Sequence, residues 1–88
     1  MSSLFFRIPL QDKILFAKNL ALALKAGVPL VSSLRLMKNQ TRNRSFQRVI
    51  DSVIEDTNKG AFLSTGLMKF KNIFGELFIN IILSLIHI

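Results

Sequence analysis

The sequence predicts an all-α protein, an antiparallel helical bundle of about five helices. Apolar residues recur at intervals of three and four along most of the chain, which is the spacing of one face of an α-helix. Gly27 and Gly60 each follow such a segment, and glycine readily takes the left-handed conformation that ends a helix. No Asn-Gly or Asp-Gly pair indicates a β-hairpin.

The first helix is predicted over residues 10–26, because Pro9 precedes it and Gly27 follows it. An apolar stripe runs along it at three- and four-residue spacing: Ile14, Ala17, Ala21 and Leu24. Further apolar side chains widen this arc: Leu15, Phe16, Leu20 and Leu22. We therefore expect the helix to lie centrally and to contact neighbours on more than one side.

Residues 26–30 predict a tight reversal between two helices. Gly27 suits the position just past a helix, while Pro29 cannot continue that helix but fits the first turn of the next one. The second helix is predicted over residues 29–39, and a polar run over residues 39–43 predicts a loop. The apolar face of this second helix is Leu30, Leu34 and Met37.

Three further helices are predicted after this loop. The third begins near residues 43–45, ends before Gly60 and has the clearest amphipathic pattern: Phe46, Val49, Ile50, Val53, Ile54 and Thr57. A short fourth helix over residues 63–69 contains Gly66, which weakens it but would let another helix approach closely. A basic connector over residues 70–74 leads to a fifth helix from Gly75-Glu76. The predicted core includes Leu20, Leu24, Leu34, Phe46 and Ile50.

Composition limits the chain to one small domain. Its 88 residues are half hydrophobic, which excludes a disordered tail. The absence of Cys excludes disulfide scaffolds and cysteine-based zinc sites. Twelve Lys and Arg against five Asp and Glu give a net charge of +7, so a binding partner is expected to be acidic: nucleic acid, anionic lipid or an acidic protein.

No enzymatic, cofactor or metal site is predicted. The single His, His87, lies one residue from the end, where frayed termini make poor active sites. Asp51, Glu55 and Asp56 share a helical surface with basic neighbours, which favours a solvated charged face over a metal site. The chain has no P-loop, no dinucleotide-binding glycine motif and no HExxH motif.

Basic residues concentrate between positions 35 and 48, with no acid among them: Arg35, Lys38, Arg42, Arg44 and Arg48. This cluster is either a binding surface for phosphates, anionic lipid or an acidic protein, or simply the polar side of two helices and their loop. A nucleic-acid module would add stacking aromatics, and the nearby Phe46 is assigned to the core by its spacing. A small basic nucleic-acid-binding module and an amphipathic membrane-surface peptide are the alternative functions.

Three segments resemble the type II secretion system F domain. Residues 16–30 match the pattern F-x-x-x-L-A-x-x-L-x-A-G-V-P-L. The third helix of the family resembles Asn43 together with residues 46–53. Its G-x-x-L-S junction resembles the segment Lys59-Gly60-x-x-Leu63-Ser64. A later segment of the family resembles residues 74–82. The positions we expect to be structural are Gly27, Pro29, Gly60, Leu63 and Ser64.

The resemblance implies a cytoplasmic helical domain of an inner-membrane platform protein, from type II secretion or type IV pilus assembly. It also implies contacts with the assembly ATPase, with pilin or pseudopilin and with other inner-membrane components, while homo-oligomerisation stays open and no small-molecule substrate is expected. A basic surface agrees with a cytoplasmic position, because positive charge collects on that side of a membrane. The basic residues between positions 35 and 48 are the expected partner-binding residues.

The sequence departs from this family near its end. The family continues with a Gly-Glu-x-x-Gly turn and a sixth helix, whereas residues 83–88 are Leu-Ser-Leu-Ile-His-Ile. We therefore predict an incomplete domain over residues 10–82, an N-terminal lead over residues 1–9 and a non-native tail over residues 83–88. No window reaches about 18 uncharged apolar residues, so no membrane span is expected within the chain, although the parent protein is expected to be integral to the membrane.

Overall fold

Six α-helices make up most of residues 8–86, the part of the chain that the structure, a computed structural model, describes. They are α1 (Leu10–Lys25), α2 (Leu30–Gln40), α3 (Arg44–Asn58), α4 (Leu63–Met68), α5 (Lys71–Phe74) and α6 (Glu76–Ile86). These residues contain no strand, so the predicted all-α fold is confirmed. Helix α1 packs against α2 and α6, α3 packs against α2 and α4, and α6 also contacts α4 and α5.

The reversal between α1 and α2 is built from two backbone hydrogen bonds past the end of α1. The N–H of Val28 donates to the carbonyl of Ala23 at 3.0 Å, and the N–H of Gly27 donates to that of Leu24 at 3.1 Å. This pair of bonds is the Schellman motif, which requires a left-handed residue, and Gly27 has a φ of 89°. The loop therefore satisfies two carbonyls that the end of α1 would otherwise leave unpaired.

Pro29 lies one position earlier than predicted, immediately before the first residue of α2. Its ψ of 151° is extended, while its carbonyl accepts a hydrogen bond from the N–H of Ser33 at 2.8 Å. The buried hydroxyl of Ser33 then donates to the carbonyl of Val28 at 3.3 Å. These two hydrogen bonds therefore hold the first turn of α2 against the reversal.

The end of α3 forms the same Schellman motif at Gly60, whose φ is 98°. The N–H of Ala61 donates to the carbonyl of Asp56 and the N–H of Gly60 to that of Thr57, each at 3.0 Å. Helix α4 then begins at Leu63, which is fully buried, and Ser64 is half-buried in its first turn. The two reversals set the short connections that fold α1 to α4 onto one another.

Phenylalanine side chains join helices that are distant in sequence. The ring centroids of Phe16 and Phe46 lie 5.2 Å apart, and each lies about 6 Å from the ring of Phe74 (6.1 and 6.0 Å). Phe78 stacks on Phe74 at 6.1 Å. This cluster links α1, α3, α5 and α6, and its centroid separations are those of favourable aromatic pairs.

The predicted basic connector over residues 70–74 is instead partly helical, because it contributes to this cluster. Phe74 is buried, and Phe70 and Ile73 pack against the core, so the segment forms the single turn α5 to present these side chains on one side. Lys13 of α1 donates from Nζ to the carbonyl of Ile73 at 3.1 Å, which holds this turn against α1.

Four of the five predicted core residues are fully buried: Leu20, Leu34, Phe46 and Ile50. The fifth, Leu24, is half-buried and packs against the core. The stripe predicted for α1 is wrong at Ile14, which is exposed. The buried face of α1 is rotated toward Phe16 and Leu20, because α2 occupies that flank; there Asn19 Nδ2 donates to Gln40 Oε1 at 3.1 Å.

The two ends of the described chain take part in the same core. Ile8, from the predicted N-terminal lead, is buried, and α6 continues to Ile86, with Leu83 and Ile86 packed against the core. The domain limits and the non-native origin of residues 83–88 stay predictions, and His87 lies outside the described residues. No helix between residues 8 and 86 combines the length and apolar character of a membrane span.

Substituting Gly27 by Val tests the reversal. A Cβ at this position meets no atom within 4 Å, so the penalty comes from the positive φ alone. We expect Gly27→Val to lower the free energy of unfolding by about 1 kcal/mol or more, and Gly27→Asn to lower it by less, because Asn tolerates this region. Urea melts measure both values. A Gly27→Val protein as stable as the parent would contradict the left-handed turn.

Substituting Gly66 by Ala tests the close approach of α4 to α3. A Cβ at Gly66 would lie 3.2 Å from Cγ1 of the buried Val53. Overpacking costs about 1–3 kcal/mol, which exceeds the gain of about 1 kcal/mol in helix propensity, so we expect a net loss of stability. In a Val53→Ala background the same Gly66→Ala change should instead stabilise the protein. An equal effect in both backgrounds, measured by urea melts, would refute this contact.

Candidate interaction surface

The five predicted partner-binding residues lie along one continuous stretch of the fold, which we name the basic surface: Arg35, Lys38, Arg42, Arg44 and Arg48. The first two lie on the second half of α2, Arg42 lies in the loop, and the last two lie in the first turns of α3. Packing of α2 against α3 keeps these segments together. All five are exposed except Lys38, which is half-buried.

Lys38 has an acidic partner that the linear sequence did not reveal. Its Nζ lies 2.7 Å from Oδ1 of Asp51, on the facing helix, and the two side chains are 36% and 52% exposed. A pair this exposed contributes at most about 1 kcal/mol to stability. The pair nevertheless neutralises Lys38, so the positive charge of the basic surface comes from its four arginines.

The positive charge of the basic surface lies mostly around the N-terminus of α3. Arg44 is the first residue of the helix, no acidic residue occupies its first turn, and Asn43 supplies the cap by accepting the N–H of Phe46 at 2.9 Å. Because a helix N-terminus already carries partial positive charge, Arg44 is placed where a cation is unfavourable. The ion pairs found between residues 8 and 86 do not include Arg42, Arg44 or Arg48.

Two open grooves flank the second half of α2. One, of about 280 Å³, lies between α1 and the α2–α3 loop and is lined by Asp12, Leu15, Phe16, Met37, Gln40, Thr41, Arg42, Asn43 and Phe46. The other, of about 320 Å³, lies between α2 and α3 and is lined by Arg35, Lys38, Asn39, Asp51 and Ile54. The first groove therefore combines several apolar residues with Arg42, and the second combines one apolar residue, Ile54, with Arg35.

Two of the three acidic residues of α3, Asp51 and Asp56, are engaged in ion pairs. Asp56 Oδ2 lies 2.7 Å from Lys69 Nζ, which also donates to Ser52 Oγ at 2.8 Å and lies 5.6 Å from the ring centroid of Phe70. These contacts fasten the segment after α4 to the outer side of α3. Within residues 8–86 there is no group of three or more His, Cys, Asp or Glu side chains arranged to hold a metal ion.

The sequence did not predict the structural contacts of Lys13 and Lys69 or the two grooves beside α2. Lys13 and Lys69 contact partners 60 and 17 residues away, so no local pattern could indicate them. Phe74 did carry a signal, since Phe70, Ile73 and Phe74 have the spacing of one helical face. Phe46 is 1% exposed, as its spacing predicted, so its ring is not available for stacking on a base.

Comparison with known proteins identifies relatives of this chain. The family described as type II secretion system (T2SS), protein F matches residues 16–86. The type IV pilus assembly protein PilC of Thermus thermophilus is 36% identical over 73 residues, which are 83% of this chain and 18% of that protein. The PilC proteins of Myxococcus xanthus and Pseudomonas aeruginosa are 27% and 28% identical over 71 residues, 81% of this chain and 17% and 19% of theirs.

The chain therefore spans less than a fifth of the length of these curated relatives. The family match covers most of the chain and includes both glycine reversals, the loop between α2 and α3 and all five residues of the basic surface. On this match and on the helical fold, the chain belongs to the type II secretion system protein F family.

Proposed function

We propose that this chain is a non-enzymatic interaction domain of a platform protein that serves type IV pilus assembly or type II secretion. It acts on the cytoplasmic face of the bacterial inner membrane and contacts the assembly ATPase and the pilin or pseudopilin machinery. Membership of the family and the pilus assembly role in the names of its relatives support this proposal.

The main support for the proposed interaction surface is the placement of Arg42, Arg44 and Arg48. They are exposed, no ion pair of the described residues includes them, and they crowd the positive end of α3. A cation at this position costs about 0.3–1 kcal/mol of helix stability. Since none of these arginines pairs with an acid within residues 8–86, an acidic protein surface that pairs with them gives them a role.

The groove beside Arg42 adds an apolar component to this surface. Leu15 is its exposed apolar residue, while Phe16, Met37 and Phe46 line it but are almost fully buried, and Arg42 and Asp12 give it one charge of each sign. A partner segment with an apolar side chain next to a carboxylate would fill the groove and pair with Arg42. Contacts of this kind, an apolar anchor inside a polar rim, are those that usually carry binding energy.

Reversing two charges of the basic surface tests this proposal. We expect Arg44→Glu/Arg48→Glu to weaken binding of the 88-residue chain to its cognate purified assembly ATPase by about tenfold or more, because two favourable charge pairs become repulsive. The same change places an acid in the first turn of α3, so the melting temperature should rise slightly. Titration calorimetry and thermal melts measure the two effects.

The control is Lys59→Glu/Lys71→Glu, which changes net charge equally at exposed positions outside the basic surface. We expect this control to retain most of the affinity. Equal loss in both variants, or no loss in the first, would contradict the proposed surface. Binding of labelled DNA or RNA with a steep salt dependence at physiological salt would favour the nucleic-acid alternative instead.

A further inference from the structure

The solvent-facing side of α1 has an unusual composition. Six exposed residues fall within about 100° of arc at 3.6 residues per turn. They are Gln11, Ile14, Leu15, Lys18, Leu22 and Lys25, and we call them the outer face of α1. Three are large apolar residues, two are lysines and none is acidic.

The three apolar residues of the outer face of α1 are largely exposed to solvent. Ile14 is 45% exposed, Leu15 51% and Leu22 69%. Helix α1 packs against α2 and α6, and these side chains stay exposed despite both contacts. Leu15 and Leu22 form one row along the helix and Lys18 and Lys25 form a parallel row, each with a spacing of seven residues.

A second exposed apolar face, on α6, differs in charge. Leu77 is 75% exposed and Ile81 46%, which are close to the values for Leu22 and Ile14. However, α6 contains no Lys or Arg, and its one charged residue is Glu76. Of these two faces, the outer face of α1 is the one that pairs apolar side chains with positive charge.

We propose that the outer face of α1 binds an anionic phospholipid surface. Ile14, Leu15 and Leu22 enter the boundary between headgroups and acyl chains, while the ammonium groups of Lys18 and Lys25 contact lipid phosphates. Lysine suits this position because its long stem lies along the apolar layer while its charge stays in the polar one. An in-plane helix with apolar residues between cations is the usual form of such an interfacial contact.

Charge and geometry favour lipid over a protein occupant. A second copy of this chain would bring another net charge of +7 to a face that is itself positive. The face is also a helix surface about 20 Å long, and of its six residues only Leu15 borders a groove, the one next to Arg42. A fluid layer of anionic headgroups matches such a surface without specific side-chain pairing.

The test is cosedimentation of the 88-residue chain with two kinds of vesicle, phosphatidylcholine alone and phosphatidylcholine mixed with phosphatidylglycerol. We expect binding to the mixed vesicles and little binding to the neutral ones. Lys18→Gln/Lys25→Gln should weaken binding about fivefold for each lysine removed. Ile14→Gln/Leu22→Gln should weaken it about tenfold or more, and because both positions are exposed the fold should persist in circular dichroism melts.

Two matched controls locate the contact. Leu77→Gln/Ile81→Gln removes the same residue types at similar exposure from α6, and Arg44→Gln/Arg48→Gln removes two cations from the basic surface. We expect the α6 control to bind as the parent does, and the arginine control to bind more tightly than either variant of the α1 face. The proposal is overturned if the parent does not bind mixed vesicles or if either control loses as much binding as the matching α1 variant.

Light scattering distinguishes the remaining occupant, a second copy of the chain. A monomeric mass for the parent supports the lipid assignment. A dimer that Ile14→Gln/Leu22→Gln converts to monomer would instead assign this face to self-association and overturn the proposal. Neither result bears on ATPase binding, so the lipid contact can fail while the proposed interaction domain stands.

Discussion

The contact on which this small fold depends is the packing of Phe16, Phe46 and Phe74 around one another. It joins α1, α3 and α5, and the hydrogen bond from Lys13 to the carbonyl of Ile73 adds a second contact between α1 and α5. A domain of this size buries a limited fraction of its surface, so a few large side chains must supply much of its core. Phenylalanine meets that need without a polar atom that would require a partner.

The same rings connect the core to the surface that we assign to partner binding. Phe16 and Phe46 line the groove next to Arg42, so the position of that groove follows from how the aromatic rings pack. The capped start of α3 fixes Phe46 and Arg44 together, two residues apart on one helical turn. Rigid support of this kind fixes the backbone of Arg44 and Arg48, so a partner has to order only their side chains on binding.

Helix α1 shows how a small bundle compromises between packing and exposure. It is the predicted central helix: it packs against α2 and α6, and Phe16 and Lys13 also reach α3 and α5. These contacts bury only part of the helix circumference, and the apolar residues of its sequence extend beyond that part. The excess apolar surface, together with Lys18 and Lys25, is what suggests a further contact outside the domain.

Local signals in the sequence were sufficient to predict five of the six helices and the glycines that end α1 and α3. Gly27 and Gly60 mark reversals because only glycine takes a positive φ at low cost, and the spacing of Phe46, Val49 and Ile50 predicts the buried face of α3. The cluster of arginines is likewise visible in the sequence. Tertiary structure alone decided that Asp51 neutralises Lys38, that Lys13 bonds to the carbonyl of Ile73 and that Ile14 stays exposed. Each depends on which helices meet across long sequence separations, and periodicity within one helix carries no information about that.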